Sequence, residues 1–310
     1  MYVFLDEIQE VENFQKVVDS LFLKPNVDIY ITGSNARMLS GELATLLSGR
    51  YIEIKMLPLS FKEYNELIGG NIKDNFNKYF INGGFPYTTQ LDNETILKEY
   101  IEAIYNTVII KDIATRKKIT DLALLKTVTK FISNNVGSIL SPNKIADYLT
   151  SSGRKTSHLT IDSYIEALME SFIIYSVDRY DIKGKQLLKS LKKYYLVDAG
   201  LRKVILGDKR TDIGFVLENI VYLELLRRGY NVYIGKINEL EVDFIAENDE
   251  EKIYIQVSAT VIDPNTFARE IAPLEKINDN YPKYIISMDE LSLNKDGIKQ
   301  INIIDFLLND

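Results

Sequence analysis

The chain has 310 residues, 46% hydrophobic and 26% charged, with a formal charge of −7, one histidine and no cysteine. This composition suits a globular protein of about two to three domains. It excludes disulfides, thiolate metal centres and cysteine nucleophiles, and His158 alone builds neither a metal site nor a triad. The negative balance leaves nucleic acid only a local basic surface to contact, and no run reaches the ~20 apolar residues that span a bilayer. No leader precedes the first strand and no cysteine occurs, so a cytoplasmic, non-membrane protein is expected. In chain order, the first 60 residues alternate strand and helix: Tyr2–Leu5, a helix through Phe14–Leu23, Asp28–Thr32, a helix through Arg37–Leu47, then Tyr51–Met56. That is an α/β pattern with a parallel sheet. From Phe61 to about Arg116 the pattern is helical, broken by Asn82-Gly83-Gly84-Phe85-Pro86, a turn between helices. It is expected to form a small helical lid.

From about Leu122 to Leu196 the order is helix, short helix, helix and two strands, with Ser141 and Ser157 opening the second and third helices. Ser141–Leu149, Ser157–Ser171 and a hairpin of Phe172–Tyr180 with Lys192–Val197 together resemble a winged helix. The last segment reads helix (Phe215–Arg228), strands (Tyr230–Gly235, Glu241–Ala246, Lys252–Ala259), helix (Thr266–Ile277) and strand (Lys283–Ser287). This order resembles the core of restriction-endonuclease-like domains. The expected units are 1–60, a partial ATPase core; 61–120, the lid; 121–200, the winged helix; and 201–310, the nuclease-like domain.

Chemistry enters at the first strand. Tyr2–Leu5 is a buried type of strand that delivers two adjacent carboxylates, Asp6 and Glu7, to its carboxyl end. P-loop ATPases present Mg²⁺ and the attacking water in this way. Asp6 would hold Mg²⁺ through water and Glu7 would polarise the lytic water; a strand ending at a solvated helix cap is the structural alternative. The second strand also ends in polar residues, which makes Asn35 the candidate for orienting that water. Arg37 and Arg50 could stabilise phosphate charge, Arg50 being the stronger candidate because it leads into a strand.

Five segments then resemble one family in both order and wording: Phe4-Leu5-Asp6-Glu7-Ile8-Gln9, Ile31-Thr32-Gly33-Ser34-Asn35, Ser48-Gly49-Arg50, Leu57-Pro58-Leu59-Ser60-Phe61 and Gly83-Gly84-Phe85-Pro86. They are similar to prokaryotic AAA-type ATPases that carry a C-terminal domain of unknown function. The resemblance implies ATP and Mg²⁺ as ligands, with Asp6 and Glu7 as the Walker B pair, Asn35 as first sensor and Arg50 as a phosphate-side arginine. The departure is the absence of G-x-x-x-x-G-K-[ST] from all 310 residues. The nearest lookalike, Asp181-Ile182-Lys183-Gly184-Lys185, lacks the first glycine and a helix-opening Ser or Thr. The chain is expected to be either a piece of an ATPase or a remnant that kept half a site, its partners being DNA, another copy or a missing N-terminal segment.

Two further constellations follow. Lys155, Thr156 and Ser157 begin the third helix of the winged-helix candidate. The hairpin carries Lys183, Lys185, Lys189, Lys192 and Lys193, a patch suited to phosphates or simply a solvated lysine-rich tip. In the nuclease-like segment, Glu218 and Asp243 match the helix glutamate and strand aspartate of active members, but Gln256-Val257-Ser258 replaces Glu-x-Lys. Gln256 and Ser258 share one strand face, yet Gln256 offers Mg²⁺ no charge and Ser258 supplies no cation. Three functions are therefore open: an ATP-binding and ATP-hydrolysing protein acting with DNA, a non-catalytic DNA-binding or adaptor protein, and a metal-dependent nuclease. P-loop amides and lysine each supply roughly 1.5–3 kcal/mol of charge-assisted hydrogen bonding. Pure polypeptide of this sequence is therefore expected to release no phosphate from Mg·ATP above background, and measurable turnover would contradict this.

Overall fold

The computed structural model describes residues 1–8, 11–34, 49–207 and 212–309, without the side chains of 109–111 and 189–190. Strands β1 (Tyr2–Leu5) and β2 (Asp28–Ile31) pair in parallel, Tyr2 with Asp28 through Leu5 with Ile31. A parallel pair needs a crossover, supplied by helix α1 (Phe14–Phe22). Phe14 and Val18, one helical turn apart, are buried with Ile8 against Leu5 and Ile31. Side chains alternate along a strand, so Tyr2, Phe4 and Tyr30 face the opposite side, where they are exposed and Phe4 stacks on Tyr30 at 4.9 Å.

The strand expected over Tyr51–Met56 does not form. The segment carries no β pairing, and Ile52, Ile54 and Met56 stand exposed. A strand gains its stability from a neighbour's hydrogen bonds and packing, and among the described residues this sheet has only β1 and β2. The helix expected over Arg37–Leu47 lies outside the described residues.

The helical stretch after Phe61 is present. Helix α2 (Phe61–Ile68) opens with a reciprocal Ser60–Glu63 capping box, and Asn71 and Asn93 cap α3 (Ile72–Asn82) and α4 (Glu94–Tyr105). These side chains satisfy amides that the first turn leaves without partners. Next come α5 (Leu122–Asn134), α6 (Pro142–Ser151) and α7 (His158–Glu170), the last two capped by Ser141 and Ser157. Strands β3 (Ile174–Asp181) and β4 (Gln186–Leu196) form an antiparallel hairpin, and Leu140 makes a single antiparallel bridge to Lys192.

The hairpin continues into the C-terminal sheet. After α8 (Ala199–Leu206) and α9 (Ile213–Arg227) come β5 (Asn231–Ile237), β6 (Leu240–Glu247), β7 (Lys252–Val257), α10 (Pro264–Glu275), β8 (Lys283–Ser287), β9 (Ile298–Asn302) and α11 (Ile303–Leu308). Their sheet has the order β4-β3-β5-β6-β7-β8-β9, with β3 parallel to β5 through Arg179–Ile234, Tyr180–Gly235 and Asp181–Lys236. The sheet therefore runs across residue 200. Residues Val216 to Leu225 of α9 are all buried, the apolar ones in the core and Glu218, Asn219 and Glu224 with polar partners there. Among the described residues no helix is long and apolar enough to cross a membrane.

The Gly83–Pro86 turn has a structural partner that the sequence does not show. The amide of Gly84 donates to Asp198 Oδ2 at 2.6 Å, while Asp198 Oδ1 caps α8 by accepting from Leu201 N at 3.0 Å. Gly83 has φ +77°, and a Cβ there would lie 2.0 Å from Asp198 Oδ1. Leu59 N donates to the Gly84 carbonyl at 2.8 Å, and Arg227 Nη2 donates to the Pro58 carbonyl at 2.8 Å. Leu57–Phe61, Gly83–Pro86 and α9 thus meet at one junction. Burial raises the Asp198 carboxyl to about 6, against the lowering effect of the Gly84, Leu201 and Gly200 amides and of Arg227. A raised carboxyl contributes stability that is complete below about pH 4 and is lost as pH rises through about 6. Urea unfolding of wild type and Asp198→Asn should therefore differ by about 3 kcal/mol more in the variant's favour at pH 7.5 than at pH 4; a pH-independent difference would contradict this.

Candidate functional site

The carboxyl ends of β1 and β2 carry the first candidate site. Ligands of α/β sheets bind in this position because strand ends release side chains and amides into one crevice. Asp6 and Glu7 follow β1, Thr32 and Ser34 follow β2, and hydrogen bonds join the two pairs. Thr32 Oγ1 donates to Asp6 Oδ1, Ser34 Oγ donates to Glu7 Oε2 at 3.0 Å, and the Glu7 amide donates to Thr32 Oγ1 at 3.2 Å. Glu7 itself has φ +47°, a left-handed conformation that turns the chain sharply away from the strand. Asp6 and Glu7 are exposed. Two carboxylates beside two hydroxyls form a hard oxygen set of the kind Mg²⁺ prefers, so the metal half of a Mg·ATP site fits these residues. The phosphate half has no G-x-x-x-x-G-K-[ST] in this sequence.

Asn35 and Arg37 lie outside the described residues. Arg50 is directed elsewhere: its Nη1 is 3.4 Å from Asp19 Oδ1, and its guanidinium lies 5.8 Å from the Phe22 ring centre. Both partners are on the second half of α1, whereas Asp6 and Glu7 lie by its start.

A family model described as an AAA domain matches residues 1–65, the segment that holds β1, β2 and these four side chains. A second model, described as a domain of unknown function, matches residues 73–212. An uncharacterized protein of Haemophilus influenzae is 43% identical over a 316-residue alignment covering 99% of this chain and 78% of its own length. The uncharacterized protein MJ1544 of Methanocaldococcus jannaschii is 30% identical over 319 aligned positions, 98% of this chain and 71% of its own length.

The chain belongs to the same family as these two proteins, and its first 65 residues match an AAA domain.

In this AAA-type chain, the residues expected to touch DNA fall into three groups. Lys155, Lys183 and Lys185 are exposed, and Thr156 is half-buried. Ser157 is committed to its helix, its Oγ accepting from Thr160 N at 3.1 Å. Lys192 is 3.0 Å from Asp178 and half-exposed. Lys193 corrects the expectation outright. It is 2% exposed and so cannot meet phosphate, because the strand alternation that sends Lys192 outward sends Lys193 inward. The exposed face of α7 carries Leu159, Asp162, Ser163 and Glu166, an acidic stripe at helical spacing.

The buried position of Lys193 assembles a second centre. Its Nζ lies 2.9 Å from Glu218 Oε1, 2.7 Å from Glu241 Oε1 and 3.7 Å from Asp243 Oδ1. Tyr195, two residues on and on the same strand face, donates its hydroxyl to Glu218 Oε1 at 2.6 Å. Burial works to lower the Lys193 ammonium, but Glu218, Asp243 and Glu241 outweigh it and hold the group charged. Burial raises Asp243 well above the carboxylate range, and the Glu218 charge adds to this. Gln256 adjoins the centre through the Asp243 backbone, whereas Ser258 donates to the Thr260 carbonyl at 3.0 Å and takes no part.

Of the nuclease-like set, the structure thus joins Glu218, Asp243 and Gln256 and adds Glu241 and Lys193. The sequence signal for Lys193 was the spacing Lys193-x-Tyr195 on a strand otherwise rich in buried residues. Removing one partner of a buried ion pair leaves an uncompensated charge. Glu218→Ala is expected to cost about 3–5 kcal/mol in denaturant unfolding; a loss under about 1 kcal/mol would show the pair to be dispensable.

Proposed function

We propose that this AAA-type chain supplies the metal- and water-facing half of an ATP site. The observation that carries the reading is the hydrogen-bonded set of Asp6, Glu7, Thr32 and Ser34 at the carboxyl ends of two adjacent parallel strands. Mg²⁺ bound with ATP neutralises phosphate charge. On the protein's side, Asp6 would hold the metal, and Thr32 orients that carboxylate by donating to it. Glu7 positions the attacking water, with its carboxylate steered by Ser34. The phosphate-wrapping amides and lysine would come from a polypeptide segment outside these 310 residues, since a second copy of this sequence holds no G-x-x-x-x-G-K-[ST] either.

The order helix, single bridge, helix, helix, hairpin between Leu122 and Leu196 supports the winged-helix reading of the middle of the chain. We take DNA contact to involve Lys155 and the exposed wing lysines Lys183 and Lys185. Asp162 and Glu166 would repel phosphates from the centre of α7, which leaves the wing and the start of that helix as the contact. The same surfaces serve the adaptor reading, in which the partner is a protein.

Calorimetric titration with Mg·ATP, of this polypeptide alone and of a longer form that contains a P-loop, tests the proposal. The longer form should bind, and Asp6→Ala in it should weaken Mg²⁺-dependent binding at least about tenfold. Glu7→Gln should keep binding and lower turnover about 10²–10⁴-fold. Wild-type behaviour of both variants would overturn the assignment.

A further inference from the structure

The C-terminal sheet resembles nuclease folds whose helix glutamate and strand aspartate hold Mg²⁺. Here the same two carboxylates, Glu218 on α9 and Asp243 on β6, converge on an ammonium instead. Glu241 completes the ring at 2.7 Å. The third nuclease position is already committed, since Gln256 Oε1 accepts from the Asp243 amide at 2.7 Å and Gln256 Nε2 donates to Glu270 Oε2 at 3.0 Å. Asp243 Oδ2 is likewise occupied, accepting from Val257 N at 2.9 Å.

Access is restricted to the side of Glu241, whose side chain is 34% exposed. Gly137, in the segment joining α5 to α6, sits against Glu218 so tightly that a Cβ would lie 2.8 Å from Oε2. Lys193, Glu218 and Gln256 are all buried. Among the described residues no acidic group of three or more has metal-binding geometry. The divalent metal implied by the fold therefore does not fit the centre as it stands.

We infer that Lys193 is a built-in cation standing where a nuclease-like site would hold its metal, so that the centre is a permanent joint and cleaves no phosphodiester. Three elements depend on it. Lys193 belongs to β4, Glu218 to α9, and Glu241 and Asp243 to β6, so one ammonium fastens the β3–β4 hairpin to the sheet core. A metal would leave under chelation and open the joint; a lysine does not. The inference stands whether or not the nucleotide proposal does, because it uses none of the residues around Asp6.

It also makes a latent prediction. Truncating Lys193 vacates a pocket ringed by three carboxylates, a hard oxygen set that should then attract a divalent ion. Thermal unfolding of wild type, Lys193→Ala and Lys193→Met is measured in EDTA and in millimolar Mn²⁺, with Mn²⁺ binding to wild type followed separately by electron paramagnetic resonance. Wild type should bind no Mn²⁺ at this centre and leave single- and double-stranded DNA intact; any Mn²⁺ response of its Tm through the exposed Asp6 and Glu7 is the baseline against which the Lys193 variants are read. Lys193→Ala should melt lower than wild type in EDTA and regain at least about 3 °C with Mn²⁺. Lys193→Met, which fills the space without charge, should melt lower and gain nothing from the metal. The inference is overturned if wild type binds Mn²⁺ in a manner lost on Asp243→Asn, or cleaves DNA. It is equally overturned if Lys193→Ala folds and ignores Mn²⁺. The wild-type titration decides the matter even if Lys193→Ala does not fold.

Discussion

The contact between Lys193 and Glu218 sets the geometry of the whole C-terminal half. An ammonium removed from water is costly unless carboxylates surround it, so β4 is acceptable only in the register that brings Lys193 to Glu218, Glu241 and Asp243. A slip of one residue would bury Lys192 and turn Lys193 to solvent. Strand, helix and hairpin are thereby fixed against one another by charge, while Tyr195, Tyr222 and Phe244 pack beside the ion cluster and exclude water. Such an arrangement supplies specificity of pairing as much as stability.

Helix α9 carries that constraint to the rest of the chain. Glu218 meets the ion cluster, and Asn219 holds both the amide and the carbonyl of Leu196 at 2.7 and 2.8 Å. At its far end, Arg227 donates to the carbonyls of Pro58 and Leu59. Residues 57–61, near the end of the segment that matches an AAA domain, are thus tied to the helix that orders the C-terminal sheet. The two adjacent glycines at 83 and 84 have a packing explanation in this junction, since side chains there would collide with Asp198 and with the Leu59 carbonyl.

The two candidate centres differ in their physics. Asp6 and Glu7 are exposed at the ends of parallel strands, solvated and held by hydroxyls; such carboxylates can exchange water for a metal. Around Lys193, Glu218 and Asp243 are largely desolvated, Glu241 stands at the rim, and all three are already matched to a cation. Exchangeable oxygen ligands suit nucleotide chemistry, whereas a saturated buried cluster suits architecture. On the proposed reading, chemistry belongs to the segment that matches an AAA domain and mechanical coherence to the ion cluster around Lys193.

Much of the secondary structure was legible because its causes are local. Phe14 and Val18 recur at helical spacing, Ser60, Ser141 and Ser157 stand where first-turn amides need acceptors, and Tyr2–Leu5 and Asp28–Ile31 alternate as strands do. Asp6 and Glu7 were legible as a carboxylate pair at one strand end because they are adjacent in sequence and directly follow β1. Tyr51–Met56 has the composition of a strand, yet composition supplies no neighbour to pair with. The outward Lys192 and inward Lys193 are adjacent lysines that only the sheet register distinguishes. Asp198 meets Gly84 across more than a hundred residues, and the short elements α8 and α11 pack against α3 and α2, which lie over a hundred residues earlier in the chain. The sequence by itself determined which segments become helices and strands and where the first carboxylate pair falls, since propensity, periodicity and capping act over a few residues. Only the tertiary structure decided that a hairpin lysine is buried among Glu218, Glu241 and Asp243, because the partners of a buried charge are chosen by packing and register and not by spacing along the chain.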